Sequence, residues 1–572
     1  FDKDTDLKEA ARQLRKLGEI SKIQSNPTIR RAYDPKKKPL YLSASDLQHV
    51  TRTSEGLTFN DPGLKHQWHY QNTGSYDFVK EGAEAIAGAD VNCGEAWKLC
   101  KGDPTIIVAV LDEGVMWNHP DLIGNMWTNE AEEIGSTEDK DGNGYKGDRY
   151  GYNFVKNTGV ISWTSAEDTG HGTHVAGTIA AVNGNNKGVG GIAGGDGTEN
   201  SGVKIMTCQL FDGAYGCTLA AEAGEAQAIK YAADNGAVIL QCSWGYNSPD
   251  ANEALGYTPG PKDEQDWENQ YPLEKEALDY FIHNAGSPNG VIDGGLAIFA
   301  SGNEYAPSSS YPAGYSKCIS VSAIAADFTP SSYTNYGEEI TLCAPGGDGD
   351  YYGTPGVADD EFAWEGKTQG LILSTAIKNG QPAYAYMEGT SMACPHVSGV
   401  AALGLSHAVK ERRHFKVAEF IELMKETAND QFYNFYDEKV EKLYYYNHTT
   451  FGAPPTLMNL IERKGKMGRL VDAGALLKAI GNHGSDMIVP NVYLATGKST
   501  SIDLARYFID GESLNYSCTV ANENIATTSV DKTILTINGI ADGSTTVTIQ
   551  AGSKSQTITI TVRKNAGGSG WL

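Results

Sequence analysis

The chain of 572 residues has few cysteines, no long apolar run and a marked shortage of basic side chains. Nine cysteines are too few for a disulfide scaffold, and the odd count leaves at least one thiol unpaired. No apolar stretch approaches the roughly 20 residues of a membrane-spanning helix, so we expect no transmembrane span. The 46 Lys and Arg residues against 71 Asp and Glu give a net charge of −25, which disfavours nucleic acid as a partner.

The basic residues concentrate at the start of the chain. Residues 1–40 hold 11 Lys and Arg but 6 Asp and Glu, whereas the remainder is strongly acidic. Because opposite charges attract, we expect this part of the chain to dock on the acidic body. Within it, LKEAARQLRKLG is typical of an amphipathic helix that ends at Gly18. The alternative is a solvated N-terminal tail.

Residues 57–484 show the pattern of an α/β domain. Apolar residues make up 40% of the chain, enough for a large core. Strand-like runs alternate with helix-like runs, which predicts a parallel sheet flanked by helices. The expected strands are 105–115, 203–211, 237–245, 295–303 and 316–324, and the expected helices are 173–182 and 219–236. Polar residues follow several of these strands, where such sheets place their functional sites.

Residues 485–563 change character and predict a small C-terminal β-sandwich. The runs SIDLARYF, LNYSCTV, TILTING, TTVTIQ and QTITITV read as short strands. Ile558, Ile560 and Val562 alternate with threonine, which is the pattern of a half-buried strand. The last residues, 564–572, read as a flexible tail.

Three segments carry the chemistry. VAVLDEG places Asp112 at a strand end, DTGHGTHVAGT contains His171, and GTSMACPHVSGVAAL contains Ser391. Together and in this order they resemble the signature segments of the subtilases, the subtilisin-like serine peptidases. The resemblance covers roughly residues 57–480 and implies that Ser391 is the nucleophile, His171 its base and Asp112 the partner of the base. The segment FASGNE resembles the oxyanion segment of the family and implies Asn303 as the side-chain donor.

The resemblance also implies a substrate groove and a specificity pocket. A peptide substrate would lie as an extended strand against exposed backbone. CSWG matches one wall through Ser243, Trp244 and Gly245, and SSYPAG places Ser310 at the base of the pocket. The opposite side is matched by Ala300, Ser301 and Gly302. The alternative for Trp244 is a packing role in the core.

One residue departs from the family pattern. The position after the catalytic aspartate is usually Thr or Ser, but here it is Glu113. A hydroxyl partner for the aspartate is therefore absent and a second negative charge lies nearby. We expect Glu113 to shift activity towards alkaline pH, because a negative charge favours protonated histidine. The alternative is a glutamate that faces solvent.

Two segments predict structural calcium sites. DKDGNGYKGD places Asp139, Asp141 and Asn143 at alternate positions before a glycine, like the opening of an EF-hand loop, and Asp148 is available to close the site. A second site, near Asp121 and the loop 183–188, follows from the resemblance. The alternative for the first segment is an acidic surface turn, and no cofactor is expected for the chemistry itself.

The resemblance predicts a secreted serine endopeptidase that hydrolyses protein or peptide substrates through an acyl-enzyme intermediate. Residues 1–56 resemble part of a subtilase propeptide, which implies that the chain carries its own inhibitor. The sandwich resembles bacterial immunoglobulin-like modules, and its ligand is not predicted. We expect a secreted, cell-surface or periplasmic protein, although FDKDTDLKEA contains no signal peptide. The alternative function is an inactive subtilase scaffold that acts in surface binding or adhesion.

Overall fold

The structure is a computed structural model, and it describes residues 7–24, 29–31, 39–42, 47, 58–75, 84–164, 170–212, 224–349, 370–438, 441–444 and 456–564. The chain forms two compact units. The second unit contains residues 286–293, residues 407–419 and the chain from Ile480 onwards.

A sheet of eight parallel strands organises the first unit. In spatial order its strands are Arg469–Leu470, Leu342–Pro345, Ile319–Ile324, Leu296–Ala300, Ile239–Cys242, Ile107–Glu113, Lys204–Phe211 and Gly151–Asn153. All neighbours in this sheet pair in parallel. Parallel sheets are covered on both faces, which explains why the central strands are buried along their length and mostly apolar. The predicted α/β class with a subtilisin-like parallel sheet is confirmed.

Helices cover the sheet. The helices of the described chain are Leu7–Leu14, Cys93–Ala96, His171–Ala180, Gly224–Asp234, Glu264–Gln270, Pro272–Asn284, Thr390–Lys410, Val417–Thr427, Asn434–Glu438 and Ala473–Ile480. One apolar cluster shows how they pack. Ile229 of Gly224–Asp234 and Phe281 of Pro272–Asn284 lie with Leu240 and Phe299 of the central strands in this cluster, which also contains Ile29.

Further short strands of the first unit lie outside the large sheet. They are Arg30–Arg31, Leu40–Leu42, Trp244–Gly245, Ile372–Lys378, Gln381–Met387, Glu441–Tyr444 and Thr456–Asn459. The predicted strand 237–245 is thus divided at Ser243, because Trp244–Gly245 pairs with a different partner from Ile239–Cys242.

The second unit is built mainly from two small sheets. Val492–Ala495, Lys554–Arg563, Gly543–Ala551 and Tyr516–Val520 form one, and Ser499–Asp503, Ile534–Gly539 and Ala526–Asp531 form the other. A three-stranded sheet of Ser485–Asp486, Arg413–Lys416 and Ile292–Asp293 belongs to the same unit. The inward residues of the two small sheets, such as Leu535, Ile549 and Ile560, share one core. The predicted strand at SIDLARYF ends at Asp503, where a 3-10 turn begins. The immunoglobulin-like assignment stays a prediction.

The cysteines form no disulfide among the described residues. The eight described cysteines are free thiols, and seven of them are buried. Cys208, Cys242, Cys318 and Cys343 are buried in or beside strands of the large sheet, while Cys217 lies outside the described residues. Of the helices in the described part of the chain, none is long and apolar enough to cross a bilayer.

Candidate active site

The predicted base and its aspartate partner meet at the carboxyl end of a central strand. Asp112 is the sixth residue of strand Ile107–Glu113, and His171 opens helix His171–Ala180. Nδ1 of His171 lies 2.7 Å from Oδ1 of Asp112, and both side chains are fully buried. A carboxylate at this position keeps the proton on Nδ1, which leaves Nε2 as the basic nitrogen.

Close backbone approach makes this contact possible. A Cβ atom at Gly172 would lie 2.4 Å from the carbonyl oxygen of Glu113, nearer than real Cβ contacts come. Only glycine therefore allows the helix to begin directly on the strand end.

Glu113 is buried rather than exposed. It is 1% exposed, and its Oε2 accepts a hydrogen bond from the backbone N of His171 at 3.0 Å. The solvent-facing alternative is therefore wrong. A carboxylate at a helix N-terminus is favourably placed, because the helix dipole is positive there. The second oxygen of Asp112, Oδ2, has no hydrogen-bond partner among the described residues, as expected where the usual hydroxyl is missing.

Two reciprocal hydrogen bonds join Ser391 to Ser243. Ser243 leads into strand Trp244–Gly245, called here the cleft strand. Ser391 is the second residue of helix Thr390–Lys410, called here the Ser391 helix. Its Oγ donates to the carbonyl oxygen of Ser243 at 3.2 Å, and Oγ of Ser243 donates to the carbonyl oxygen of Ser391 at 2.8 Å. Ser391 is fully buried.

A buried glutamine that sequence analysis did not single out joins the two elements. Nε2 of Gln241 donates to Oγ of Ser243 at 2.7 Å. Its Oε1 accepts from Oγ of Ser398 at 2.5 Å and from Sγ of Cys394 at 3.4 Å, both on the Ser391 helix. The available signal was a lone amide within the apolar run AVILQCSWG. A buried polar group needs partners, and here it has them.

Asn303 lies beside the nucleophile. Its Oδ1 accepts hydrogen bonds from the backbone N and from Oγ1 of Thr390, at 2.9 and 2.8 Å. Since the oxygen of this amide is used by the residue before Ser391, Nδ2 is the end that can donate to a substrate oxygen.

The residues predicted for the specificity pocket lie close to one another. A Cβ at Gly245 would lie 3.2 Å from Oγ of Ser310, and the backbone N of Ser310 donates to the carbonyl oxygen of Ser301 at 2.9 Å. Ala300 and Gly302 flank Ser301 at the end of strand Leu296–Ala300. Trp244 differs from the prediction of a subsite wall. Its indole is fully buried, with its centroid 5.3 Å from that of Phe299, which favours the packing alternative.

The N-terminal segment, residues 1–56, meets the cleft at two strands. Arg30–Arg31 pairs antiparallel with Trp244–Gly245, and Leu40–Leu42 pairs antiparallel with Gln381–Met387. Ile29, just before the first of these strands, is fully buried. The segment therefore runs along the strand that leaves Ser243 and along the strand that leads to Ser391.

The predicted acidic loop brings three carboxylates together. Ligand atoms of Glu132, Asp139 and Asp141 lie within 4.8 Å of one another. Glu132 precedes the motif by seven residues and was not predicted. Asp148 is buried instead and accepts a hydrogen bond from Nδ2 of Asn143 at 3.1 Å. All available ligands in this loop are oxygens, which is the set that calcium prefers.

The second predicted site gains a residue from a distant part of the chain. Nδ2 of Asn185 donates to Oδ1 of Asp121 at 2.6 Å, and the backbone N of Val189 donates to Oδ2 at 2.9 Å. Asp61 accepts hydrogen bonds from the backbone N atoms of Gly184 and Asn185. Burial raises the pKa of Asp121 to about 7, to which the charge of Asp61 adds, and burial raises that of Asp61 to about 6. Two buried carboxylates and an amide oxygen form a donor set that fits calcium.

Comparisons with known proteins agree with this geometry. A profile of the Subtilase family matches residues 103–446, more than half of the chain. Halolysin of Haloferax mediterranei is 30% identical over 372 residues, which cover 65% of this chain and 54% of halolysin. The halolysin-like extracellular serine protease Nep of Natrialba magadii is 29% identical over 323 residues, 56% of this chain and 44% of Nep. A calcium-dependent protease of Nostoc sp. is 30% identical over 355 residues, 59% of this chain and 43% of the relative. The chain thus spans about half the length of the curated relatives it matches.

Replacing Gln241 by leucine is expected to destabilise the first unit. The change removes the acceptor of the Ser398 hydroxyl, and an unsatisfied buried group costs about 1–3 kcal/mol. The hydroxyl of Ser243 loses the hydrogen bond from Gln241 but keeps the one to Ser391. Urea unfolding followed by tryptophan fluorescence, in a Ser391→Ala background that cannot digest itself, measures the difference. The exposed Gln265→Ala is the control. A loss for Gln241→Leu no larger than that of the control would contradict the role of the network.

Proposed function

The chain belongs to the subtilase family, and we propose that it is a serine endopeptidase that cleaves protein or peptide substrates outside the cell. The observation that carries the proposal is the buried contact of His171 with Asp112, together with the hydrogen bond between Asn303 and Thr390, the residue before Ser391. Subtilase membership alone leaves room for an inactive scaffold. The presence of all the predicted catalytic residues argues against it, because a binding scaffold needs none of these groups.

Each residue has a role in peptide-bond hydrolysis. Nε2 of His171 takes the proton of Ser391 as the serine oxygen attacks the scissile carbonyl, and later delivers it to the leaving amine. Asp112 stabilises the imidazolium that forms between these steps. Nδ2 of Asn303 and the backbone N–H groups at the start of the Ser391 helix would stabilise the oxyanion. Water then hydrolyses the acyl-enzyme by the same route.

We also propose that the N-terminal segment restrains the cleft until it is removed. Its strand Arg30–Arg31 uses the backbone of Trp244–Gly245, the edge that an extended substrate would use. A chain that occupies this edge competes directly with substrate. The attraction of a basic segment to an acidic body supports this role.

Calcium is proposed as a structural ion. The loop carboxylates Glu132, Asp139 and Asp141 form one candidate site, and Asp61, Asp121 and Asn185 form the other. A bound cation would compensate the buried charge of these carboxylates and fix the loops that hold them. The name of the calcium-dependent relative supports the proposal, and the name of the extracellular relative supports a location outside the cell.

The proposed activity is tested by the intact mass of the purified chain after incubation with calcium, beside a Ser391→Ala control. Loss of an N-terminal fragment is expected only from the unmutated chain, since removal requires the nucleophile. A serine-reactive phosphonofluoridate should label Ser391 in the same sample. No mass loss and no labelling would overturn the proposal and favour the inactive scaffold.

A Glu113→Gln variant should keep its peptidase activity at lower pH than the unmutated chain. Removal of the buried negative charge disfavours protonated histidine, so the acid limb of the pH–rate profile moves to lower pH. The profile of kcat/KM on a peptide substrate measures the shift. Glu462→Gln, an exposed neutralisation, should leave the limb in place. An unchanged limb in Glu113→Gln would refute the proposed effect.

Calcium should raise the thermal stability of the Ser391→Ala chain above that of the same chain in the presence of a chelator. A site at about 100 times its Kd contributes about 2.7 kcal/mol to the free energy of unfolding. Asp121→Asn should lose a large part of this gain, whereas the exposed Asp531→Asn should keep it. Calorimetry at matched pH compares them. An equal gain in both variants would exclude Asp121 as a ligand.

A further inference from the structure

A pair of buried carboxyl groups lies under the N-terminal segment and plays no part in the proposed chemistry. Glu225 is near the start of helix Gly224–Asp234, and Glu274 is near the start of helix Pro272–Asn284. Both side chains are fully buried. One oxygen of each, Oε2 of Glu225 and Oε1 of Glu274, has no hydrogen-bond partner among the described residues.

Gln24 of the N-terminal segment covers this pair. Its Nε2 donates to Oε1 of Glu225 at 3.2 Å, and its Oε1 accepts from the backbone N of Leu273 at 2.8 Å. One side chain of the segment therefore bridges the starts of both helices. Two residues earlier, Lys22 forms an ion pair of 2.5 Å with the exposed Glu276.

The surroundings of the pair supply no compensating positive charge. Tyr246, which follows the cleft strand Trp244–Gly245, donates its hydroxyl to Oε2 of Glu274 at 2.5 Å and stacks on Tyr271 with 4.4 Å between ring centroids. The buried thiol of Cys318 is a further titratable group that interacts electrostatically with Glu274. The nearest lysine along the helix, Lys275, pairs with Asp279 instead. Among the described side chains, none with a positive charge forms an ion pair with either glutamate.

Two buried carboxylates without a counter-charge favour a protonated state. Burial raises the pKa of Glu274 well above its ordinary value, and the neighbouring Glu225 adds to the effect. Burial likewise raises the pKa of Glu225, which Gln24 lowers slightly through its hydrogen bond. Because each carboxyl is buried without a counter-charge, ionisation of either one is disfavoured.

We propose that Glu225 and Glu274 form a proton-operated latch that holds the N-terminal segment on the cleft at lower pH and loosens it as the pH rises. The proposal rests on the restraint of the cleft by this segment. When Gln24 leaves, water reaches the pair and its proton affinity falls towards that of ordinary glutamate, about 4.3. The docked state therefore binds more protons than the released state. Docking is strongest below the ordinary value and weakens as the pH rises through the raised one.

Hydrogen exchange on the intact Ser391→Ala chain tests the latch. This chain keeps its N-terminal segment, so the measurement needs no activity. The amide of Leu273 reports on Gln24 and the amides of Arg30–Arg31 report on the cleft strand. Their protection, corrected for intrinsic exchange, is followed from about pH 5 to about pH 9, above the ordinary glutamate value. Where the docked state holds one proton more than the released state, the docking equilibrium changes by up to about tenfold per pH unit. Protection should therefore fall by at least about tenfold over this pH range.

Variants separate the latch from general loosening. Glu274→Gln should reduce the pH dependence of protection, because one ionisable group is lost while the amide still accepts from Tyr246. Glu225→Gln serves the same purpose if the first variant does not fold. The double variant Glu225→Gln with Glu274→Gln should abolish the pH dependence. Glu276→Gln, on the same helix, removes the exposed ion pair with Lys22 and should weaken docking at every pH but keep its pH dependence.

Two results would overturn the latch. One is protection in Ser391→Ala that does not change with pH, and the other is an unchanged pH dependence in Glu274→Gln or Glu225→Gln. Either result leaves the peptidase proposal intact. Conversely, failure of Ser391 to react with phosphonofluoridate would remove the peptidase and leave these measurements of docking valid.

Discussion

The active site depends on the hydrogen bonds of one buried amide. Gln241 sits in the central strand Ile239–Cys242 and uses both ends of its amide, one towards Ser243 and the other towards the Ser391 helix. Since Ser243 is itself bonded to Ser391 in both directions, the hydrogen bonds connect Ser391 to the central strand. The parallel sheet provides the reason for the arrangement. Strands Ile239–Cys242 and Ile107–Glu113 are parallel neighbours, so Ser243 and Asp112 lie at the same edge of the sheet.

Charge is distributed around this site in a consistent way. Three of the buried carboxylates are Glu113 beside the predicted triad, Asp121 in the candidate calcium site and Glu274 under the N-terminal segment. Their surroundings differ. Glu113 faces a helix N-terminus, Asp121 lies with other oxygen donors, and Glu274 accepts a hydrogen bond from Tyr246 but forms no ion pair with a described side chain. The acidic composition of the chain is thus used at specific positions.

The sequence predicted the sheet and the triad but not the partners that hold them. Asp112, His171 and Ser391 lie in long motifs with a fixed order, so the motifs alone were enough to predict them as a triad. Glu132 was missed because it lies outside the motif, seven residues before Asp139. Gln241 was missed because its partners on the Ser391 helix lie 153 and 157 residues further along the chain, which local patterns do not encode. Asp61 was missed for the same reason, since it lies 60 residues before Asp121. The division of the strand at Ser243 follows from pairing with the N-terminal segment, and no local propensity signals it.

The buried thiols determine how the protein responds to oxidants. Thiolates, and not thiols, react with disulfides and peroxides, and burial keeps these cysteines protonated. Burial raises the pKa of Cys394 to about 12 and that of the half-buried Cys518 to about 11. Among the described residues the fold contains no disulfide for a reductant to open and no exposed thiol for an oxidant to attack. The described thiols are therefore held in the protonated form, which reacts slowly with oxidants.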